Sequence, residues 1–184
     1  MRAAVEDLYY KKLKVIYGEI IRYATTAQND LKLNKTQNKT ITDIKIANRK
    51  MVEIIKDVKE LNKNLTLSLT LDNPYLLKEY DGFRKKATKV LRIIYLFRTD
   101  EHPEKYAEKL LELKIEAKEK IRQSNQSIDR LIRENLINAE MASSLFNDYT
   151  NVNDMIKKMI EVAELLYGKT DSLLENNESK KKSA

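Results

Sequence analysis

Apolar residues recur at alternating spacings of four and three in every long segment of this chain. The clearest run lies mid-sequence and consists of Leu76, Tyr80, Phe83, Ala87, Val90, Ile94 and Phe97. This spacing places all of its members on one face of an α-helix, where they can pack against neighbouring helices. Because packing uses most of the large side chains, we expect an all-α fold, an antiparallel bundle of five to six long helices.

The first two predicted helices carry stripes with the same spacing. In the first helix the stripe consists of Tyr9, Leu13, Ile16, Ile20, Tyr23 and Ala27. In the second it consists of Ile44, Asn48, Met51, Ile55, Val58, Asn62 and Leu65. We expect both stripes to face the interior, with Tyr9, Tyr23 and Tyr80 in the apolar core.

Four short breaks separate the predicted helices. We expect helices at about residues 3–31, 42–65, 74–97, 103–135 and 138–166. Residues 32–40 are polar and form the first predicted loop. Asn73 before Pro74 predicts a capped helix start, as do Asp100 or Thr99 before Pro103, and Asn138. Short loops make helices that follow one another in the chain run antiparallel.

Composition excludes several kinds of site. The chain has no cysteine, so disulfides, cysteine-bound zinc and a cysteine nucleophile are excluded. Its one histidine, His102, lies in a predicted loop, and neither a Gly-rich phosphate loop nor a Ser-His-Asp set can be traced. We therefore expect no enzyme activity. No uncharged stretch approaches the roughly 18 apolar residues of a membrane span, so we expect the chain itself to be soluble.

Positive charge is concentrated in the first half of the chain. Up to Thr99 there are 21 Lys and Arg against 11 Asp and Glu, and from Asp100 onward 14 against 17, within a net charge of +7. A basic surface suits an anionic membrane, an acidic protein or a nucleic acid. The alternative is that these lysines are solvated and only maintain solubility. For nucleic acid the candidate residues are Lys85, Lys86, Lys89 and Arg92, but no helix-turn-helix spacing accompanies them, so nucleic acid is not favoured.

One carboxylate interrupts the apolar stripe of the fifth predicted helix. Asp148 occupies a position where Leu or Val is expected. A buried carboxylate is costly unless it is paired or hydrogen-bonded. We expect a contact that fixes the helix register, with Lys114, Asn48 or Asn62 as its partner. The alternative is a role in a ligand site.

Further carboxylates lie at outward-facing positions of the second and fifth predicted helices. Glu53 and Asp57 are one turn apart, and Asp154 and Glu161 are two turns apart. Oxygen ligands suit hard cations such as Mg²⁺, Ca²⁺ or oxidised iron. These four residues are therefore a candidate site for a divalent or ferric metal ion. The alternative is a solvated face whose acids are neutralised by nearby lysines.

Several segments resemble one bacterial family. They are Met51 to Leu65 (MVEIIKDVKELNKNL), Asp72 to Pro74 (DNP), Glu79 to Arg84 (EYDGFR), Asp129 to Arg133 (DRLIR) and Ala142 to Asp148 (ASSLFND). In these segments the chain is similar to the cytosolic C-terminal region of bacterial sodium/phosphate cotransporters, which resembles the PhoU domain. The resemblance implies a PhoU-like helical bundle over residues 1–174, made of two three-helix units at about 1–99 and 100–174. A sixth helix requires a break in the fifth, for which Asn147 to Asn153 is the candidate. Residues 175–184 are polar and basic, and we expect them to be disordered.

The resemblance also implies a function and partners. It implies a non-enzymatic regulatory domain that controls phosphate uptake, on the cytoplasmic side of the bacterial inner membrane. Its partners are a transmembrane phosphate transporter domain, an anionic membrane surface and a second copy in a homodimer. The family's metal motif, an acid followed four residues later by Asp, fits Glu53 and Asp57, whereas Thr150 replaces the first acid before Asp154. The alternatives are a standalone PhoU-like metal-binding phosphate regulator and, less favoured, a basic nucleic-acid-binding bundle.

Overall fold

The computed structural model describes residues 7–168, and for residues 118–123 the backbone alone. In this part of the chain there are helices and no strands, which confirms the predicted all-α bundle. A π-helical segment, Leu8–Leu13, leads directly into the first α-helix. The α-helices are α1 (Lys14–Asp30), α2 (Lys35–Leu71), α3 (Pro74–Thr99), α4 (Glu104–Arg133) and α5 (Ala139–Tyr167). The predicted tail, residues 175–184, lies outside the described residues.

Asparagine side chains cap three of these helices. Asn73 accepts from the backbone N–H groups of Tyr75 and Leu76, and Asn138 accepts from that of Met141, as predicted. The first loop, predicted at residues 32–40, is much shorter, because α2 already begins at Lys35. There Asn34 and Gln37 form a reciprocal capping box, a signal that our sequence analysis missed.

The cap expected before α4 is also different. Pro103 occupies the position before the helix, and no side chain caps it. Asp100 instead holds the loop, where its carboxylate accepts from the His102 N–H at 3.0 Å and from the Tyr106 hydroxyl at 3.0 Å.

Helix α5 continues through the polar run where a break was expected. Residues 147–153 are helical throughout, so the prediction of a sixth helix made by a kink there is wrong. Tertiary packing overrides the low helix propensity of this run, because Val152 is buried in the core and Asn153 is bonded to Lys86 of α3.

Helices α3, α4 and α5 enclose the main apolar core. Five members of the α3 stripe, namely Leu76, Tyr80, Phe83, Val90 and Phe97, are buried there, as predicted. They pack with Leu110 and Ile128 of α4 and with Leu145, Ile156 and Ile160 of α5. The core extends across the loop between α3 and α4, where the boundary between two three-helix units was predicted, and that division is not tested by these contacts.

Helices α1 and α2 form a hairpin that is attached to this core through α5. Helix α1 packs against α2, and α2 packs against α5 but touches α3 little. Asn48 of α2 donates to the backbone carbonyl of Tyr17, and Lys45 donates to Gln28, so α1 and α2 run antiparallel. Among the described residues of α1, Ala24 is the one fully buried side chain. Helix α1 is therefore less deeply packed than α2.

The predicted stripes of α1 and α2 are turned partly to solvent. Tyr23 is 79% exposed and Ile16 is 54% exposed, so their expected burial is wrong. On α2, Ile44 and Met51 are also exposed. In α1 the buried residue is Ala24, one position after Tyr23, whereas in α2 the stripe residue Asn48 is buried against α1 as predicted. Over the described residues, no helix is long and apolar enough to cross a membrane.

The packing of the core makes a direct prediction for stability. Ile160 is fully buried, so Ile160→Ala should lower the free energy of unfolding by about 2–5 kcal/mol. The matched control is Ile115→Ala, because Ile115 is 50% exposed on α4 and should lose less than about 1 kcal/mol. Urea denaturation followed by circular dichroism measures both. Equal losses for the two variants would contradict the assignment of the core to α3, α4 and α5.

Candidate functional site

The face of α2 that meets α5 is a heptad of mixed polarity, which we call the polar seam. Its α2 positions are buried or contact α5, and they are Asp43, Ala47, Lys50, Ile54, Asp57, Leu61, Asn64 and Ser68. The spacing alternates between four and three, as in the apolar stripe, but the set lies one residue away from that stripe. Charged and amide side chains thus occupy positions that apolar residues usually fill in a bundle.

Two ion pairs connect the hairpin to α5 along this seam. Lys50 Nζ lies 2.6 Å from a carboxylate oxygen of Glu161, and Lys158 Nζ lies 2.7 Å from Asp57. All four side chains are partly buried. Lys114 of α4 pairs with Glu164 of α5 at 2.8 Å, beside the same Glu161. Because these pairs keep contact with solvent, each stabilises the fold by about 1 kcal/mol or less.

The four carboxylates predicted to bind metal each have a cationic partner. Asp57 and Glu161 pair across the seam, whereas Glu53 pairs with Arg49 at 3.1 Å and Asp154 with Lys157 at 3.1 Å within their own helices. Within the described part of the chain, no group of three or more His, Cys, Asp or Glu could hold a metal ion. A metal site at these residues therefore stays a prediction, which this arrangement does not favour.

Near the C-terminal end of α2 the seam contains a buried hydrogen-bond network. Asp148 is fully buried and accepts from the Tyr80 hydroxyl at 2.6 Å and from the Asn64 amide at 2.9 Å. Ser68 is hydrogen-bonded to Tyr80 in turn. The expected register-fixing contact exists, but the expected partners of Asp148 are wrong. Lys114 pairs with Glu164 instead, and Asn48 with the Tyr17 carbonyl.

Burial controls the acidity of this network. Removal from water raises the pKa of Asp148, and the nearby Glu60 raises it further, although the bonds from Tyr80 and Asn64 oppose the shift. Burial and the bond to Asp148 also raise the pKa of Tyr80. The hydroxyl therefore remains a donor at neutral pH, while the carboxylate is less stable in its charged form than in water.

A small pocket opens beside the network. Its volume is about 170 Å³, and it lies between the C-terminal end of α2 and the first turns of α3 and α5. Asn64, Ser68, Tyr80 and Glu140 supply polar atoms to its wall, together with several leucines. The pocket has room for a few water molecules or a very small polar molecule.

A second row of polar contacts links α3 to α5. Tyr149 donates to Glu79, and Lys86 donates to the side-chain amide oxygen of Asn153 at 2.6 Å. Asn153 is 1% exposed, and its amide nitrogen has no hydrogen-bond partner among the described residues. Lys86 thus points toward α5 and away from a nucleic acid.

The other residues considered for nucleic acid do not form one basic surface either. Lys85 pairs with Asp81 at 2.7 Å on α3 itself. Lys89 and Arg92 border a groove between α3 and α4 that is also lined by Lys109, Glu112 and Glu116. The two carboxylates weaken the attraction of this groove for a phosphate backbone.

The polar seam can fix the position of α2 relative to α5. Sequence reasoning identified Asp148 from its place on an apolar stripe, yet it missed Asn64, Ser68 and Tyr80 as its neighbours. The available signal was the heptad spacing of polar residues on α2, because Lys50, Asp57 and Asn64 are seven residues apart.

The raised pKa of Asp148 predicts a dependence of stability on pH. A carboxyl with a raised pKa binds more protons in the folded state, so its contribution to stability falls as the pH rises above about 4, the usual value for the free group. Asp148→Asn cannot ionise. The free energy of unfolding of Asp148→Asn minus that of the wild type should therefore increase from pH 4 to pH 7 in urea titrations.

Asp100 provides a control of opposite sign. Bonds from the His102 N–H, Lys105 and Tyr106 lower the pKa of its carboxyl to about 2. The stability that this carboxylate contributes is lost as the pH falls from about 4 toward 2. The free energy of unfolding of Asp100→Asn minus that of the wild type should therefore decrease as the pH rises from about 2 to about 4. A pH-independent difference for Asp148→Asn would show that its burial does not disfavour the charge.

No protein-family model, curated protein or solved structure matches the chain. The similarity to the PhoU domain thus remains a prediction from the segments quoted above. The function has to be inferred from those segments and from the geometry of the polar seam.

Proposed function

We propose that the chain is a non-enzymatic regulatory domain of a bacterial sodium-dependent phosphate transporter. In this proposal it controls phosphate uptake by contacts with the transporter's transmembrane domain, at the cytoplasmic side of the inner membrane. The observation that carries the proposal is the polar seam, which joins a two-helix hairpin to an apolar three-helix core. A polar interface of this kind allows the hairpin to take more than one position without disrupting the core.

The difference in energy between the apolar core of α3, α4 and α5 and the polar seam between α2 and α5 supports this role. Core side chains such as Ile156 and Ile160 each gain about 1.5–3 kcal/mol from burial. The exchangeable pairs Lys50–Glu161 and Asp57–Lys158 each gain about 1 kcal/mol or less, and water can replace them. A shift of the hairpin therefore costs less than a shift within the core, and a partner that binds one position better can select it.

The phosphate-transport part of the proposal comes from the resembling segments. Three of them meet at the seam: residues 51–65 in α2, residues 79–84 in α3 and residues 142–148 in α5. The network of Asn64, Tyr80 and Asp148 takes one residue from each. Similarity concentrated at one hydrogen-bond network favours a shared structural feature over a similarity of composition. A metal-responsive regulator has less support, because Asp57 and Glu161 are already paired with lysines.

Charge reversal across the seam tests the proposal. Asp57→Lys places two cations at the 2.7 Å contact with Lys158, which should displace the hairpin. In cells of the source organism that carry this variant, we expect the initial rate of sodium-dependent phosphate uptake to change by about twofold or more. Uptake of radiolabelled phosphate measures the effect, with circular dichroism of the purified chain as a check of folding.

The matched control restores the pair in the opposite orientation. Asp57→Lys combined with Lys158→Asp should return uptake toward the wild-type rate, because the coupling between the two residues is regained. Arg49→Glu, which changes an ion pair within α2 alone, should have little effect. If neither the single reversal nor deletion of the gene alters phosphate uptake, the assignment to phosphate transport is wrong.

A further inference from the structure

The apolar stripe of α2 borders a groove that the described residues cover only in part. Asn48 on this stripe is buried against α1, whereas Ile44 and Met51 on either side of it are 39% and 40% exposed. At one end, Ile41 and Ile44 lie beside Ile20, Tyr23 and Ala27 of α1 around a cavity of about 480 Å³. Glu19 and Arg22, which pair with each other, form its rim. The cavity wall is mostly apolar, so water inside it has few groups to bond.

The stripe continues along α2 to a second cavity. There Val58 and Leu65 of the stripe, with Leu61 of the seam beside them, face Phe83 and Ala87 of α3 around about 200 Å³. Val152 and Met155 of α5 are also part of its wall, because α2 and α3 touch each other little at this level. The exposed Met51 lies on the stripe between the two cavities.

The dimensions of the groove fit one more helix. From Ile44 to Leu65 the stripe extends about 30 Å, at 1.5 Å per residue, which is about three heptads. Its alternating spacing of four and three is the pattern by which helices pack in bundles. A bilayer surface or a small ligand would not require this regular spacing along a narrow groove.

The charge of the hairpin indicates the kind of helix. Residues 7–71 contain 13 Lys and Arg against 7 Asp and Glu. Six exposed lysines of this part make no ion pair with any residue that the structure describes; they are Lys12, Lys14, Lys32, Lys35, Lys56 and Lys63. An acidic partner is attracted by this excess charge, whereas a second copy of the hairpin is repelled.

We propose that the groove along α2 binds an amphipathic helix of a partner protein, with apolar residues at heptad spacing and acidic residues on its flanks. The partner inserts its apolar residues between α1 and α2 at one end and between α2 and α3 at the other. The inference rests on the surface of the hairpin and holds whether or not the proposed role in phosphate uptake is correct.

A designed peptide tests this proposal. The probe has about three heptads, with Leu at the core positions and Glu at the flanking positions, so that its own charge opposes self-association. Fluorescence anisotropy with the full chain should show saturable binding that weakens as salt is added. A peptide with the same leucines and Lys in place of Glu should bind about tenfold more weakly or not at all.

Two isoleucines of α2 supply a matched pair of variants. Ile44 lies on the stripe and Ile46 does not, yet they are 39% and 41% exposed. Ile44→Glu should weaken binding of the acidic peptide by about tenfold or more, which is 1.4 kcal/mol, whereas Ile46→Glu should change it little. Circular dichroism checks that both variants fold.

Several results would overturn the proposal. They are absence of peptide binding, equal binding of the acidic and basic peptides, and equal effects of the two glutamate variants. Sedimentation that shows a dimer broken by Ile44→Glu would assign the groove to a second copy. Flotation with phosphatidylglycerol vesicles that Ile44→Glu abolishes, without peptide binding, would assign it to a membrane.

Discussion

Helix α5 packs against three helices, and the different chemistry of its faces determines how firmly each neighbour is held. Toward α3 and α4 it presents side chains that solvent does not reach, such as Leu145, Ile156 and Ile160. Toward α2 it presents Asp148, which is buried, and the partly buried Lys158. Apolar burial contributes more per residue than exposed ion pairs do. The interface of α5 with α2 is therefore more polar than its interfaces with α3 and α4, although it is extensive and also includes the apolar Ala47 and Ile54.

The same constraint explains why α2 leaves its most apolar stripe half exposed. Rotation by one residue would bring Ile44 and Met51 inward, and each would gain at most about 1–2 kcal/mol from completing its burial. That rotation would take Asn64 from Asp148 and Asp57 from Lys158. Losing the Asn64 bond to the buried carboxylate costs about 1.5–3 kcal/mol, and losing the partly exposed ion pair costs about 1 kcal/mol or less. The polar contacts with α5 thus offset the burial that α2 would gain and help to set its rotation.

These magnitudes also show how far the sequence could predict the structure. Spacing reveals that a segment is a helix and that it packs, so the α3 stripe and the Asn73 and Asn138 caps were predicted correctly. Spacing does not choose between two heptads that lie one residue apart, and this is why the burial of Ile16 and Tyr23 was predicted wrongly. The partners of Asp148 depend on the register of α2 against α5. That register results from several contacts together, of which the sequence shows only the heptad spacing of Lys50, Asp57 and Asn64 and not their partners on α5.

Asp148 shows why the polar seam favours discrete positions of the hairpin over gradual sliding. Its burial costs several kcal/mol, and hydrogen bonds from Tyr80 and Asn64 offset about 1.5–3 kcal/mol each. The balance is close to zero, so the carboxylate contributes little to stability. A slip of α2 by one residue would nevertheless leave it buried without the Asn64 bond, and intermediate positions are therefore unfavourable. An interface that depends strongly on register disfavours intermediate positions, which is what the proposed regulatory role requires.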